Sequence, residues 1–481
     1  MTAPSSSEWH DSVLLDVALL DPRQLVPHPR NVRLELGDLD GLTTSIAGQG
    51  VIEPLTVIAL DAGGYQLVDG HRRTAAAIAA GVDRVPCIIR RDLSVDAGAD
   101  RVQAEHVSAM LATALQHAGL SAMEEARGVQ MMLDLGADVD VVAARTGLDR
   151  KRVLKAAGVA RLAPGAAAAV ETAGLTLDQA AVVARFDVDD KTVGDLVAAA
   201  GEGPGRFAHA VTRAERAREL VEAMAATRAE LEAAGRAVLE EEGVDRQGAA
   251  RIFDLLHDGQ VLDAEQHASC PGSAVALLGL DYGDRVSVRT EEVCTAPAAN
   301  GHTSRWGRDP RGGPGSSMSD EELERQRAER REVLENNAAM AAATTTRRAW
   351  IREYFARRTA PKEVLRYAVE AIATHPDALY SWLGTWASQD AEAAAGELGL
   401  FRPAQHSLGE SLTSGEHVVD GRLPLQLLAH IAGAIEGATP RDAWRSTGPD
   451  RERLAGWLTF LAGQGYELSD IEQTIVTKAV P

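Results

Sequence analysis

Cysteine, aromatic residues and long apolar runs are all scarce in this sequence. Its three cysteines, Cys87, Cys270 and Cys294, are too few for a disulfide scaffold. No run approaches the roughly 18 apolar residues of a membrane-spanning helix. The opening residues, MTAPSSSEWHD, lack the basic and apolar regions of a signal peptide. These absences exclude a disulfide-rich secreted protein and predict a cytoplasmic one with no membrane partner.

Positive charge is also scarce, because 49 Lys and Arg face 70 Asp and Glu, for a formal net charge of −21. Such a chain repels nucleic acid on average, so any DNA contact requires a local cluster of basic residues. Aromatic residues make up 4% of the chain and alanine is abundant, which favours a helix-dominated protein. A length of 481 residues exceeds one ordinary core and predicts several domains.

The order of apolar patterns predicts an α+β N-terminal domain, then a mostly α-helical remainder with a helix-turn-helix and one small β-containing insert. The predicted parts are a disordered N-terminus at 1–12, the α+β domain at 13–97, the helix-turn-helix domain at 98–165, a helical segment at 166–245, the β-containing unit at 246–302, a Gly/Pro/Ser linker at 303–318 and a helical C-terminal domain at 319–481. In the last part Ser319 is predicted to cap the first helix. Its tryptophans are expected in the core; they are Trp350, Trp382, Trp386, Trp444 and Trp457.

A glycine, a histidine and two arginines open an alanine-rich helix directly after the strand-like run YQLVD. They are Gly70, His71, Arg72 and Arg73. A helix N-terminus attracts anions through its free N–H groups and its dipole, and arginine adds paired donors suited to phosphate oxygens. The pattern indicates a phosphate site, with a solvated basic turn as the alternative.

Residues 138–161 have the pattern of a helix-turn-helix, with Gly147 in the turn and Asp149 as the N-cap of the second helix. Ser121 and Glu124 form a capping box at the start of the preceding helix. The segment reverses the acidic charge of the chain locally, which favours DNA contact over a solvated basic face. The candidate DNA-binding residues are Arg145, Thr146, Arg150, Lys151, Arg152 and Lys155.

Two of the three cysteines lie near two histidines in the β-containing unit. His267, Cys270, Cys294 and His302 could complete a tetrahedral zinc site, although their spacing matches no standard zinc finger closely. Buried free cysteines in a small β unit are the alternative.

The motifs PHPRNVR, GVIEPL, GHRRTAAA and LSAMEEA occur in an order that resembles the ParB family of plasmid and chromosome partition proteins, over about residues 13–165. The resemblance implies a sulfiredoxin-like nucleotide-binding domain followed by a helix-turn-helix that binds a palindromic duplex site. It further implies a homodimer that CTP and magnesium close into a clamp, a Walker-type partition ATPase as partner, and a place on the nucleoid or a plasmid.

The resemblance also assigns individual residues to the nucleotide. The family's first box falls on Pro27, Asn31 and Arg33, and its second box falls on Gly70, His71, Arg72 and Arg73, while Ser45 and Gly50 would lie near the base and sugar. Two positions depart from the family. His71 replaces a glutamate, and Thr113 with Ala114 replaces a Glu-Asn pair that serves magnesium. These departures predict nucleotide binding more than hydrolysis, so that any CTPase activity would be weak.

Three functions follow as hypotheses. The leading one is a sequence-specific DNA-binding protein for plasmid or chromosome partition. A transcriptional regulator with the same architecture is the first alternative. The second alternative is a nucleotide-hydrolysing enzyme or a nuclease, which would need carboxylates that hold a metal at a phosphate.

Overall fold

The apolar runs between residues 15 and 90 form one five-stranded sheet in the computed structural model, which describes residues 15–33, 35–94, 99–117, 119–240, 249–281, 286–305, 320–374 and 423–479. The strands are β1 (Leu15–Leu20), β2 (Leu25–Pro27), β3 (Leu55–Ala59), β4 (Tyr65–Asp69) and β5 (Val85–Arg90). Their order is β1-β5-β3-β4-β2, in which β5 pairs parallel with β3, β2 pairs parallel with β4, and the other pairs are antiparallel. Strand β2 escaped prediction because three residues ending in proline carry too little periodicity.

Each face of this sheet is covered by helices. Helices α1 (Asp40–Gln49) and α2 (His71–Ala79) share one apolar cluster with Leu55, Val57 and Leu67. On the other face, Ile58 and Val68 pack with α3 (Asp100–His117). Side chains alternate between the two faces of a strand, which explains why Val57 and Ile58 enter different clusters.

The helix-turn-helix shares its core with the sheet. Six more helices follow α3: α4 (Ala122–Asp134), α5 (Val139–Thr146), α6 (Arg150–Val159), α7 (Pro164–Thr172), α8 (Leu177–Val183) and α9 (Asp190–Glu202). Val142 of α5 and Val153 of α6 belong to the same apolar cluster as Ile58 and Val68 of the sheet. The predicted boundary at residues 97 and 98 therefore separates two sequence patterns and does not separate two cores.

The chain divides into two compact units, residues 1–201 and 202–481, so their boundary falls inside the helical segment predicted at 166–245. The second unit opens with α10 (Pro204–Ala233), and its small β part contains α11 (Ala264–His267). Its strands are β6 (Val238–Glu240), β7 (Ala250–Arg251), β8 (Leu255–His257), β9 (Gln260–Val261), β10 (Ser273–Asp281), β11 (Val286–Cys294) and β12 (Thr303–Ser304). They form two sheets, ordered β6-β10-β11-β7 and β12-β8-β9. Strands are thus present where the β-containing unit was predicted, although β6 and β12 lie outside its predicted range, 246–302.

Five helices complete the described part of the second unit: α12 (Asp320–Phe355), α13 (Lys362–Thr374), α14 (Leu423–Gly437), α15 (Gly448–Gly463) and α16 (Asp470–Ala479). Trp457 is fully buried in their core, and Trp350 and Trp444 pack against it, as predicted. The predicted N-terminus at 1–12, Ser319, Trp382, Trp386 and all but the first three residues of the predicted linker lie outside the described residues.

Among the described residues, no single helix is both long and apolar enough to cross a membrane. Helices α6 and α7 have that length and composition only together, and they are bent by 116° relative to each other.

Candidate functional site

A cavity of about 180 Å³ lies where α2 begins, between the sheet and α3. Six of the eight residues predicted to bind a nucleotide line it. The lining residues are Asn31, Val32, Arg33, Glu53, Val68, Asp69, Gly70, His71, Arg72, Arg73, Met110, Thr113 and Ala114. Ser45 is exposed on α1 and Gly50 caps the end of that helix, so neither belongs to the wall of the cavity.

Gly70 is required at the entrance to α2 for two reasons. Its φ of 98° is left-handed, a conformation that costs other residues free energy. A Cβ atom there would also lie 2.4 Å from Cδ2 of Leu55, which is inside the van der Waals contact distance. The backbone therefore turns tightly into α2 and leaves the N–H groups of its first turn at the cavity, where they suit an anion.

Both arginines of the GHRR motif are held by the protein. The Arg72 guanidinium donates to the carbonyls of Leu36 and Asp38, the latter at 2.8 Å. Arg73 donates to the carbonyl of Glu53 at 2.8 Å and forms ion pairs with the carboxylates of Glu53 and Asp69, at 3.2 and 2.8 Å. Their charges lie at the cavity, but their positions are fixed by these partners.

His71 offers an unused nitrogen at the same place. Its Nε2 is buried and has no hydrogen-bond partner among the described residues. Burial lowers the pKa of His71 to about 4, although the carboxylate of Asp69 acts in the opposite direction. The imidazole is therefore neutral near pH 7 in the free protein. A negatively charged ligand beside the ring would raise its pKa and favour protonation.

The residues at the cavity do not fit a protein-held magnesium ion. Thr113 and Ala114 line the cavity as the resemblance implies, and neither carries a carboxylate. The carboxylates that do line it, Glu53 and Asp69, are both paired with Arg73. Glu105, which lies earlier on α3, pairs with Arg101 and Arg145.

A chain of two buried histidines, which sequence patterns did not reveal, fixes the loop of the first box against α3. The Arg30 N–H donates to Nδ1 of His28 at 3.1 Å, Nε2 of His28 lies 3.1 Å from Nδ1 of His106, and Nε2 of His106 lies 2.9 Å from the carbonyl of Leu93. Only one arrangement of protons satisfies all three contacts, with a hydrogen on Nε2 of each neutral ring. Burial lowers the pKa of His28 to about 4 and also lowers the pKa of His106.

The helix-turn-helix has the predicted caps. Ser121 and Glu124 form the capping box of α4, Gly147 ends α5 with a φ of 77°, and the Asp149 carboxylate accepts from the Arg152 N–H at 2.8 Å. Thr146 is buried, and its hydroxyl donates to the carbonyl of Val142 at 2.7 Å. The structure therefore places Thr146 inside the turn, away from the surface that DNA would reach.

Most of the predicted DNA-binding cations have acidic partners within the first unit. Arg150 pairs with Asp140, Lys155 pairs with Asp178 at 2.6 Å, and Arg145 pairs with Glu105 at 3.4 Å. Both members of the Arg150 and Lys155 pairs are largely exposed, and such pairs contribute little to stability. These two cations can therefore exchange a carboxylate for a phosphate at small cost.

Arg152 and Lys151 differ most in how strongly the protein itself holds their charges. Arg152 donates to both oxygens of Glu125 at 2.7 and 2.8 Å, and the Glu125 side chain is only 4% exposed. This contact joins α6 to α4 and raises the pKa of Arg152. Lys151 is exposed and has no acidic partner among the residues that the structure describes. Arg152 thus positions α6, whereas Lys151 is available to a ligand.

In the second unit, the four predicted metal ligands lie together. One ligand atom from each of His267, Cys270, Cys294 and His302 lies within 4.8 Å of the others. These residues, which span 36 positions of the chain, come together because Ser273 at the start of β10 pairs with Cys294 at the end of β11.

Comparison with known proteins identifies the N-terminal part. The sequence model of the ParB N-terminal domain matches residues 5–103. A chromosome-partitioning protein Spo0J from Thermus thermophilus is 32% identical over 170 residues, which cover 35% of this chain and 60% of the relative. The N-terminal part of the chain is thus similar to proteins of the ParB family. The five-stranded sheet with α1 and α2 lies within the residues that match the ParB N-terminal domain, as the motifs implied.

Two further comparisons set the extent of the similarity. A probable chromosome-partitioning protein ParB from Treponema pallidum is 32% identical over 151 residues, covering 31% of this chain and 44% of the relative. The chain thus spans less than two thirds of the length of these curated relatives. A crystal structure of C-terminally truncated ParB from Caulobacter crescentus, complexed to the centromeric parS site, is 20% identical with a TM-score of 0.28, over 37% of this chain and 91% of that one.

Proposed function

We propose that this chain is a partition-type DNA-binding protein that contacts a specific duplex site through α6 and binds a nucleoside triphosphate, CTP by family resemblance, at the cavity. The observation that carries the first part is the exposed basic start of α6. Arg150, Lys151 and Lys155 are all exposed there in a chain whose net charge is −21. Recognition helices contact bases and phosphates through residues in these turns.

Five of the six candidate DNA-binding residues divide into proposed contacts and proposed supports, and the sixth, Arg145, pairs with Glu105 of α3. Lys151, Arg150 and Lys155 are the proposed contacts. Arg152 supports α6 through Glu125, and Thr146 supports the turn between the two helices. A loss of DNA binding on substitution of Arg152 would therefore reflect a displaced helix as well as a lost contact.

Selection of duplex DNA from random sequence tests the proposal. The wild-type chain should enrich one duplex motif, and the family resemblance predicts that it is palindromic and bound by a homodimer. Lys151→Ala and Arg150→Ala should each weaken binding by about tenfold, and each should lower the slope of log affinity against log salt by about one. Fluorescence anisotropy at several salt concentrations measures both quantities.

Lys191→Ala is the matched control, because Lys191 is an exposed lysine in the first turn of α9, in the same unit. It should leave affinity and salt slope unchanged. Enrichment of no motif, or an equal loss in Lys191→Ala and Lys151→Ala, would contradict the assignment of α6.

The cavity supports a site for the phosphates of the nucleotide. Its volume of about 180 Å³ is below the roughly 300–1,000 Å³ of pockets that enclose a whole ligand, so base and sugar would lie outside it. The N–H groups that begin α2 and the unused Nε2 of His71 would face the phosphates. Ser45 and Gly50 remain the proposed contacts of the base and sugar. Since the residues present do not fit magnesium, binding should not require it.

Nucleotide binding should take up a proton at His71. The pKa of His71 is about 4 in the free protein, and a phosphate beside the ring would raise it. At pH values between the pKa of His71 in the free protein and its higher pKa in the complex, the complex binds a proton that the free protein does not. The affinity for the nucleotide therefore rises as the pH falls through this range. We expect CTP affinity to increase about threefold or more from pH 8 to pH 6 in the presence of EDTA, measured by isothermal titration.

His71→Gln keeps a polar group but cannot titrate, so its affinity should be nearly independent of pH. The other three triphosphates, titrated in the same way, test the preference for CTP. Absence of heat with all four triphosphates would reject the nucleotide site and leave the DNA proposal standing. An affinity that collapses in EDTA would show that the chain holds magnesium by other residues.

Partition is favoured over transcriptional regulation by the similarity to chromosome-partitioning relatives. A Walker-type ATPase as partner and a location on the nucleoid or a plasmid belong to the same proposal. A nuclease or an efficient nucleotide hydrolase is not favoured, because the carboxylates lining the cavity are engaged by Arg73.

A further inference from the structure

The small β part of the second unit contains a cluster that the proposed function does not use. His267 ends α11, Cys270 lies in the turn after it, Cys294 ends β11, and His302 precedes β12. His267, Cys294 and His302 are buried, with 1%, 0% and 5% of their surfaces exposed. Four side chains with metal-binding atoms thus converge from three separate segments.

The distances suit a tetrahedral site. Zinc binds sulfur at about 2.3 Å and imidazole nitrogen at about 2.0–2.1 Å, so a tetrahedron places the two ligand atoms about 3.5 Å apart. The Sγ atom of Cys270 lies 3.5 Å from Nε2 of His302, and the four ligand atoms all lie within 4.8 Å of one another. Two sulfurs and two nitrogens are a donor set typical of zinc.

The histidines lack the partners that buried imidazoles normally have. Both nitrogens of His267, and Nδ1 of His302, are buried without a hydrogen-bond partner among the described residues. A buried polar atom without a partner is unfavourable by about 1–3 kcal/mol. A metal ion coordinated by His267 would satisfy one of these nitrogens directly.

Both sulfurs already receive N–H donors. The Gly272 N–H lies 3.4 Å from the Sγ atom of Cys270, and Nδ2 of Asn300 lies 3.5 Å from the Sγ atom of Cys294. Donors of this kind stabilise metal-bound thiolates and orient them. A Cβ atom at Gly272 would lie 2.7 Å from Sγ of Cys294, so the close turn at Cys270 needs glycine.

We propose that His267, Cys270, Cys294 and His302 bind one zinc ion, which fastens the end of the β10–β11 hairpin to the sheet of β12, β8 and β9. Four protein ligands leave no position for water or substrate, so the ion is structural. The small apolar cluster beside it contains few residues, among them Ile252, Leu255 and Leu262, and this explains why a metal is useful there.

Metal analysis of the full-length protein, purified without chelator, tests the proposal. The wild-type chain should hold about one zinc per chain by mass spectrometry of the metal content. Cys270→Ser and Cys294→Ser should each lower the zinc content by at least about fivefold. Cys87→Ser is the matched control, because Cys87 is a buried cysteine in the first unit, outside the cluster, and its zinc content should equal that of the wild type.

A cobalt titration of metal-free wild-type protein keeps the proposal testable if the serine variants fail to fold. Co²⁺ should give the visible absorption of a tetrahedral ion and the ultraviolet charge-transfer band of a thiolate ligand, saturating at about one ion per chain. Absence of these bands, or a disulfide between Cys270 and Cys294 under non-reducing conditions, would overturn the proposal. So would equal zinc in the wild type and in Cys270→Ser.

Discussion

Replacement of Arg347 by methionine is expected to lower the free energy of unfolding of residues 202–481 by about 4 kcal/mol or more. Arg347 is fully buried, and its guanidinium donates to Glu436 at 2.6 and 2.9 Å and to Glu472 at 2.5 Å. Burial alone would lower the pKa of Arg347, but the two carboxylates more than offset it and raise the pKa. The substitution removes the shared cation from both buried carboxylates and leaves Glu436 only the more distant guanidinium of Arg348, at 3.6 Å, which is the costly way to break a buried ion pair.

Tryptophan fluorescence in increasing urea measures this effect selectively, because all tryptophans except Trp9 lie beyond residue 202. Arg366→Met is the matched control, since Arg366 pairs with Glu370 on the exposed surface of α13, and its midpoint should not move. Changing Glu436 and Glu472 to glutamine in the Arg347→Met background should restore part of the loss. If the urea midpoint of unfolding is the same in Arg347→Met as in the wild type, the buried charges do not stabilise this core.

Acidification from pH 7 to pH 4 should destabilise the first unit by about 3 kcal/mol through His28 alone. The unfolded chain protonates His28 near pH 6.5, whereas the folded pKa is about 4, so the unfolded state binds more protons between these values. The stabilisation is therefore complete above about pH 6.5 and is lost as the pH falls toward 4. His106, whose pKa is also lowered, adds to the same loss.

Amide hydrogen exchange of peptides from residues 15–201 in increasing urea, corrected for the intrinsic effect of pH, measures this dependence. A double variant, His28→Gln with His106→Gln, can still donate and accept hydrogen bonds but cannot titrate. Its stability should vary much less with pH in this range. His71→Gln is the reference, because His71 also has a lowered pKa but lies outside the histidine chain. If the free energy of unfolding has the same dependence on pH in the wild type and in the double variant, the proposed role of the histidine chain is wrong.

Local patterns were sufficient for most elements of the first unit, with β2 as an exception. The runs PLTVIAL, YQLVDG and VPCIIR form β3, β4 and β5, as predicted. The capping box of α4, the turn glycine Gly147 and the N-cap of α6 also lie where the sequence placed them. Each of these features depends on residues within a few positions of one another. The position of Thr113 and Ala114 at the cavity was also predicted, through the resemblance to the family.

Pairings between distant residues could not be predicted in the same way. The basic cluster of the helix-turn-helix was correctly located, but the sequence could not show that Arg152 is engaged by Glu125, 27 residues earlier. The same holds for His28 with His106, 78 residues apart, and for Arg347 with Glu436, 89 residues apart. Each partner is one of many acids or histidines in the chain, and only the packing of the helices selects it.

The sequence by itself predicted the α+β domain, the helix-turn-helix, the helical remainder and six of the residues that line the cavity, because periodicity, caps and short motifs are local. The tertiary structure decided which charges are available. It committed Arg72, Arg73 and Arg152 to protein partners and left Lys151 and Nε2 of His71 without one among the described residues. It also brought His267, Cys270, Cys294 and His302 to one point, since strand pairing and buried contacts join segments that no local pattern relates.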